Sequence, residues 1–267
     1  MSALPKFEVP PVMETVLSIQ FAPLSNFTGA LAGWFWKSYL DGKMWTHAVD
    51  AVPVPDAFEQ FGPDTGWVSG MTLQSTNATR TQIISADDER MIQIQGSRFI
   101  LNWKKVKGDY PSYDKLYPEF VALFGRFKEF AKDAGCEAIQ PNQWEITYVN
   151  HFDIGDLWGE LSDYRNIFRN DIIPLGVAPV GHPDTINASW RYVIEKNEGR
   201  LHVQLNHARL PPENKEILRL QLAARGPTKS GDDADIKRCF DLGHESIVRT
   251  FSDITSERAH QRWRRMQ

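Results

Sequence analysis

Cysteine is nearly absent from this sequence: two residues, Cys136 and Cys239, in a chain of 267. Both stand in or beside segments with helical periodicity, too few to build a disulfide framework, so a reduced, cytoplasmic setting is expected. A strong excess of charge is missing too. The formal net charge of −4 gives no general attraction to phosphate backbones or anionic membranes. No apolar run approaches the roughly 20 residues of a membrane span, and the opening MSALPKFEVPPVMETV carries no signal-peptide pattern. Familiar reactive motifs are absent as well. His202 and His207 have opposite parity in one strand region, so they point to opposite faces and cannot share an ion. No HExxH or CxxC spacing occurs, Ser69 sits in GWVSG rather than a nucleophile elbow, and the glycines form no phosphate-binding fingerprint. No metal, cofactor or catalytic residue is assigned.

What is present is the mixture of a globular protein, 42% apolar and 24% charged, rich in Phe and Trp. The most informative stretch is RMIQIQGSRFILNWKK, Arg90 to Lys105. Ile92 and Ile94 share one parity; Phe99, Leu101 and Trp103 share the other. One strand cannot change parity and keep one buried face, so a hairpin is expected with Gly96-Ser97 as a type II′ turn. Upstream, a Pro-rich lead-in (1–11) precedes a strand, Val12 to Phe21, with Leu17, Ile19 and Phe21 facing the core. Ser25 is the expected N-cap of a helix to about Leu40, on which Trp36 points away from the apolar stripe. Lys43 to Thr65 reads as an irregular connection, Gly66 to Gln74 and Arg80 to Ala86 as strands. Leu116, Phe120, Phe124 and Phe127 mark a long helix that Gly135 ends.

The second half starts with a strand, Trp144 to Asp153, and a helix expected from Asp156 to about Asn170. Three strands follow, at 185–195, 200–207 and 215–225. Asp232 or Asp233 caps a last long helix with the stripe Ile236, Phe240, Gly243, Ile247 and Phe251. The order of elements therefore repeats: 12–135 and 144–255 read as two α+β units, followed by a basic tail, 256–267. ETVLSIQF (Glu14 to Phe21) lies over EITYVNHF (Glu145 to Phe152), and RMIQIQ (Arg90 to Gln95) over RLHVQL (Arg200 to Leu205). The expected fold is two tandem β-α-β(3-4)-α units, antiparallel sheets packed on long helices. The topology resembles the helix-grip fold or the half-unit of TATA-binding-like proteins, an analogy without functional content.

The segments PPVMETVLSIQF (Pro10 to Phe21), IQIQGSRFILNWKK with YPSY following (Ile92 to Tyr113) and LGHESIVRTFSDIT (Leu242 to Thr255) also resemble a sporadically distributed bacterial family of unknown function. The resemblance implies a complete, freestanding protein and supplies no chemistry.

Without a reactive motif, the sequence favours a non-enzymatic binding or protein-interaction role, with a protein or small ligand as partner and homo-oligomerisation as a further expectation. Gln93, Gln95, Arg98 and Asn102 fall on the sheet face away from the helices and are candidate contacts. Trp36 and Trp103 are candidate interface anchors, since Trp is favoured at such places. His244 lies beside the apolar stripe of the last helix, where an imidazole could meet a ligand; the plainer alternative is a structural histidine. An enzyme of unfamiliar type would draw on His244, Glu245, Arg98 and Gln95. Arg258, Arg262, Arg264 and Arg265, around Trp263, are weak candidates for single-stranded nucleic acid; with the chain acidic overall, a solvated helix end is the favoured explanation. The discriminating feature is the space between sheet and long helix: a filled interior implies a surface partner, and a polar-lined hollow implies a ligand.

Overall fold

In the computed structural model, which describes residues 3–61, 79–169, 172 and 183–266, the strands join into one open antiparallel sheet. Nine are seen among the described residues: β1 (Val12–Phe21), β2 (Trp45–Ala51), β3 (Arg80–Ser85), β4 (Arg90–Gln95), β5 (Arg98–Lys104), β6 (Pro141–Asp153), β7 (Asn187–Ile194), β8 (Gly199–Leu210) and β9 (Lys215–Pro227). Their order is β2-β3-β4-β5-β1-β6-β9-β8-β7. The helices are α1 (Gly29–Tyr39), α2 (Tyr113–Asp133), α3 (Asp233–Ile254) and α4 (Glu257–Arg262).

Alternation along the strands decides the layering. Leu17 and Ile19 of β1, Phe99 and Leu101 of β5, and Trp144 and Ile146 of β6 lie on one face and are almost wholly buried. That face carries α2 and α3; α1 packs on α2 through Phe35, whose ring is 5.5 Å from both Phe127 and Phe130. Gly243 brings α3 close to β6. A Cβ there would stand 2.6 Å from the Trp144 ring and 2.7 Å from Ile146 Cγ2, so only a hydrogen fits. At the other end of β1, the register slips between Val12 and Glu14. This bulge turns Val12 to the helix side, although it has the parity of the opposite face.

The hairpin at Gly96-Ser97 is present, with Gln95 paired to Arg98. Its turn is not type II′, because Gly96 does not have the positive φ that such a turn needs. Bonds from outside hold the loop instead: Phe21 N donates to Ser97 O at 2.9 Å and Leu24 N to Gly96 O at 2.8 Å. The segment read as irregular contains β2, and Gly66 to Gln74 lies outside the described residues. Ser25 does not cap α1. The helix starts after Thr28, while Ser25 bonds Glu137. The helix expected from Asp156 shrinks to a 3₁₀ turn, Leu161–Asn166. Asp232 caps α3, accepting from Asp235 N at 2.8 Å. Among the described residues no helix is long and apolar enough to cross a membrane.

The face away from the helices is crossed by an extended strap, 52–61, running from β2. Gln95 takes Val54 by both ends of its amide, accepting from N at 2.9 Å and donating to O at 2.8 Å. Gln20 accepts from Ala57 N at 2.9 Å and Gln143 from Glu59 N at 3.3 Å. Near its far end the strap places the Glu59 carboxylate, which meets Arg200 at 3.2 Å, His202 at 2.7 Å and the Arg225 Nε. Burial works to raise this carboxyl, but the bonds from His202 and Arg225 and the Arg225 charge bring it down to about 2.

Candidate ligand-binding site

A hollow of about 610 Å³ opens between the sheet, the start of α2 and the middle of α3. Its floor is Val12 of β1, Tyr148 and Asn150 of β6 and Leu222 of β9. Strand periodicity aims these side chains at the helices, with the bulge supplying Val12. One wall is α3, where Asp241, His244, Glu245 and Val248 recur at helical spacing on one side. A second wall is Tyr110 with Tyr113, at the start of α2. The third is the Pro-rich lead-in, which is tied to the tail: Met266 N donates to Lys6 O at 2.9 Å and Glu8 N to Arg264 O at 3.2 Å. The Phe7 ring packs edge-on to Phe251 and Trp263. A space of this size, apolar with a few converging polar groups, has the form of a small-molecule site.

Three tyrosines and one histidine form a connected cluster in its polar part. Tyr110 OH donates to Tyr148 OH at 3.0 Å, and Tyr148 OH lies 2.9 Å from His244 Nδ1. Tyr113 stacks on the imidazole with centroids 4.2 Å apart and donates its hydroxyl to Asp241 at 2.9 Å. Burial pushes Tyr110 up to about 12 and raises Tyr113 and Tyr148 further, so all three hydroxyls keep their protons. Burial also lowers His244 to about 4, against the opposing pull of Asp114, Asp241 and Glu245. The imidazole is therefore neutral near pH 7.

His244 is the one expected site residue that the hollow takes in, together with Glu245, whose carboxylate is held by Arg249 at 2.8 Å. Trp103 is wholly buried beneath it, its ring 5.4 Å from Tyr110, and so does not present an anchor on the surface. Trp36 is half-buried, its indole N–H donating to Trp45 O at 2.8 Å under Lys37. The other candidates lie on the far face. Gln93 accepts from Arg80 at 2.7 Å and donates to Asn102 at 2.7 Å, and Asn102 donates to Glu14 at 2.6 Å. Gln95 holds the strap; Arg98 donates to Gln20 at 2.5 Å and to Pro55 O at 3.2 Å. The tail arginines have partners within the chain. Arg258 reaches Asn166 at 3.1 Å, Arg262 Asp156 at 3.2 Å, Arg264 Glu8 at 3.0 Å and Arg265 His260 at 3.0 Å. Among the described residues no group of three or more His, Cys, Asp or Glu side chains is arranged to hold a metal ion. Burial raises both thiols, Cys239 to about 12.

Tyr110, Tyr113, Tyr148 and Asn150 escape the sequence reading. A signal exists for the last two. The core-facing positions of β6 run Trp144, Ile146, Tyr148, Asn150, Phe152. A Tyr followed by an Asn on a buried stripe brings polar atoms where a closed core has no use for them. Compared with protein-family models and with curated proteins, the chain matches none.

Proposed function

We propose that this chain is a binding protein whose hollow between sheet and long helices holds a small ligand. The observation that carries the reading is the hollow itself: about 610 Å³, with the buried polar side chains of Tyr148 and Asn150 in its floor and walled by α3 and the lead-in. A protein acting through its surface alone has no need of such a space. The test is a thermal-shift screen of small molecules against wild type and Val248→Trp, which fills the hollow from α3. Compounds that raise the wild-type melting point and leave the variant unmoved support the reading; a screen without such compounds overturns it.

We read the scaffold as the β-α-β(3-4)-α plan laid down twice, the second copy carrying the 3₁₀ turn Leu161–Asn166 where the first has α1. Support comes from the seam at the middle of the sheet. Aligning Glu14–Phe21 with Glu145–Phe152 matches Val16 to Thr147, and these two residues pair with each other across β1 and β6. A matched residue pairing with its own counterpart is what a local two-fold axis requires. The hairpin comparison needs a one-residue correction. It sets Ile92 over His202, but Ile92 lies on the helix face and His202 on the strap face; Val203 is the buried counterpart.

A further inference from the structure

The tyrosine–histidine chain can be assigned a direction, and that direction names a ligand class. Tyr110 gives its proton to the Tyr148 oxygen. With Tyr110 donating to Tyr148, the acceptor nearest the Tyr148 hydrogen is His244 Nδ1, 2.9 Å away, and we assign the bond in that direction. A neutral imidazole accepting at Nδ1 carries its one hydrogen on Nε2. No protein acceptor within the described residues is bonded to that Nε2–H, and His244 lines the hollow. The chain therefore ends in a donor. The Tyr113 hydroxyl, the other donor nearby, is already given to Asp241.

The apolar part of the lining comes from Val12, Leu222, Ile247, Val248 and Phe251. The charged residues at the hollow are four carboxylates, Glu8, Asp114, Asp241 and Glu245, against one Lys6. Glu8, Asp241 and Glu245 are each paired with a cation of the chain, so a carboxylate ligand would meet Asp114 and a histidine without positive charge.

Resting on the ligand-binding reading above, we infer that the hollow takes an uncharged molecule whose apolar body carries a carbonyl-type oxygen, bonded by the Nε2–H of His244. The inference is tested with three fluorescent probes of one shape, titrated by calorimetry: 2-acetylnaphthalene, 2-ethylnaphthalene and 2-naphthoate. The ketone is expected to bind about tenfold more tightly than the hydrocarbon, the worth of one neutral hydrogen bond, and more tightly still than the anion. In His244→Phe, which keeps a ring and loses the donor, ketone and hydrocarbon should bind alike. A naphthoate that binds as well as the ketone, or a ketone preference that survives His244→Phe, overturns the ligand class and leaves the hollow as a site. If none of the three binds, the ligand-binding reading falls as well. Nitrogen-15 spectra of the wild-type histidines give a measurement independent of the variant. A neutral His244 with its proton on Nε2 is expected near pH 7; a proton on Nδ1 instead overturns the inference.

Discussion

Two ionisable side chains, Glu59 and His244, contribute to how this protein responds to acid, and they do so in different pH windows. Glu59 is lowered in the fold from 4.5 to about 2. A depressed carboxyl stabilises the fold above its unfolded value, and that contribution drains away as pH falls from about 4.5 towards 2. Glu59→Ala, which leaves Arg200, His202 and Arg225 without their shared carboxylate, should cost about 2–4 kcal/mol near pH 7, toward the low end of a broken buried pair because the partners are partly hydrated. Urea midpoints measured at pH 7 and pH 3 should show the deficit shrinking at the lower pH. His244 acts at higher pH. Its folded value of about 4 lies below the ordinary 6.5, so the unfolded chain binds the proton more readily. Its contribution is intact above pH 6.5 and is lost between there and about 4. Wild type should therefore weaken between pH 7 and pH 5 in chemical denaturation, and His244→Phe should show a flatter profile over that range. Of these residues the sequence pointed to His244, by its place beside an apolar stripe. Glu59 was invisible because its three partners sit on strands far along the chain.

At the level of elements, legibility followed periodicity. β1, the β4–β5 hairpin, α2 and α3 carry full apolar stripes, and the sequence located them. β2 was missed because it is an edge strand: apart from Trp45, all its residues are exposed or half-buried, so no alternation is written into them. The helix expected after Asp156 failed for the opposite reason. Leu161, Tyr164 and Phe168 have helical spacing, but the chain bends to bring Phe168 into a bridge with Thr255. Gly243 was read only as part of a stripe, whereas its missing side chain sets the distance between α3 and β6. Gly243→Ala must displace the Trp144 ring or Ile146, both fully buried. Overpacking of this kind costs about 1–3 kcal/mol, measurable as a lower melting temperature. Because α3 also walls the hollow, probe affinity should fall with it.

Across the molecule, β1 and β6 run side by side along the middle of the sheet, each flanked by strands from its own half. The halves cannot part without opening that ladder, so a single calorimetric transition is expected, with no plateau; two resolved transitions would contradict it. That the strands form one sheet follows from a pairing between segments over a hundred residues apart, which no local pattern announces. The strap across the back of this sheet carries one more implication. Its amides at Val54, Ala57 and Glu59 bond to glutamine side chains rather than to a neighbouring strand. In deuterated water these three hydrogens should be retained far longer than those of an ordinary loop. An experimenter with exchange data alone would draw a further strand at 52–61, where the backbone makes none.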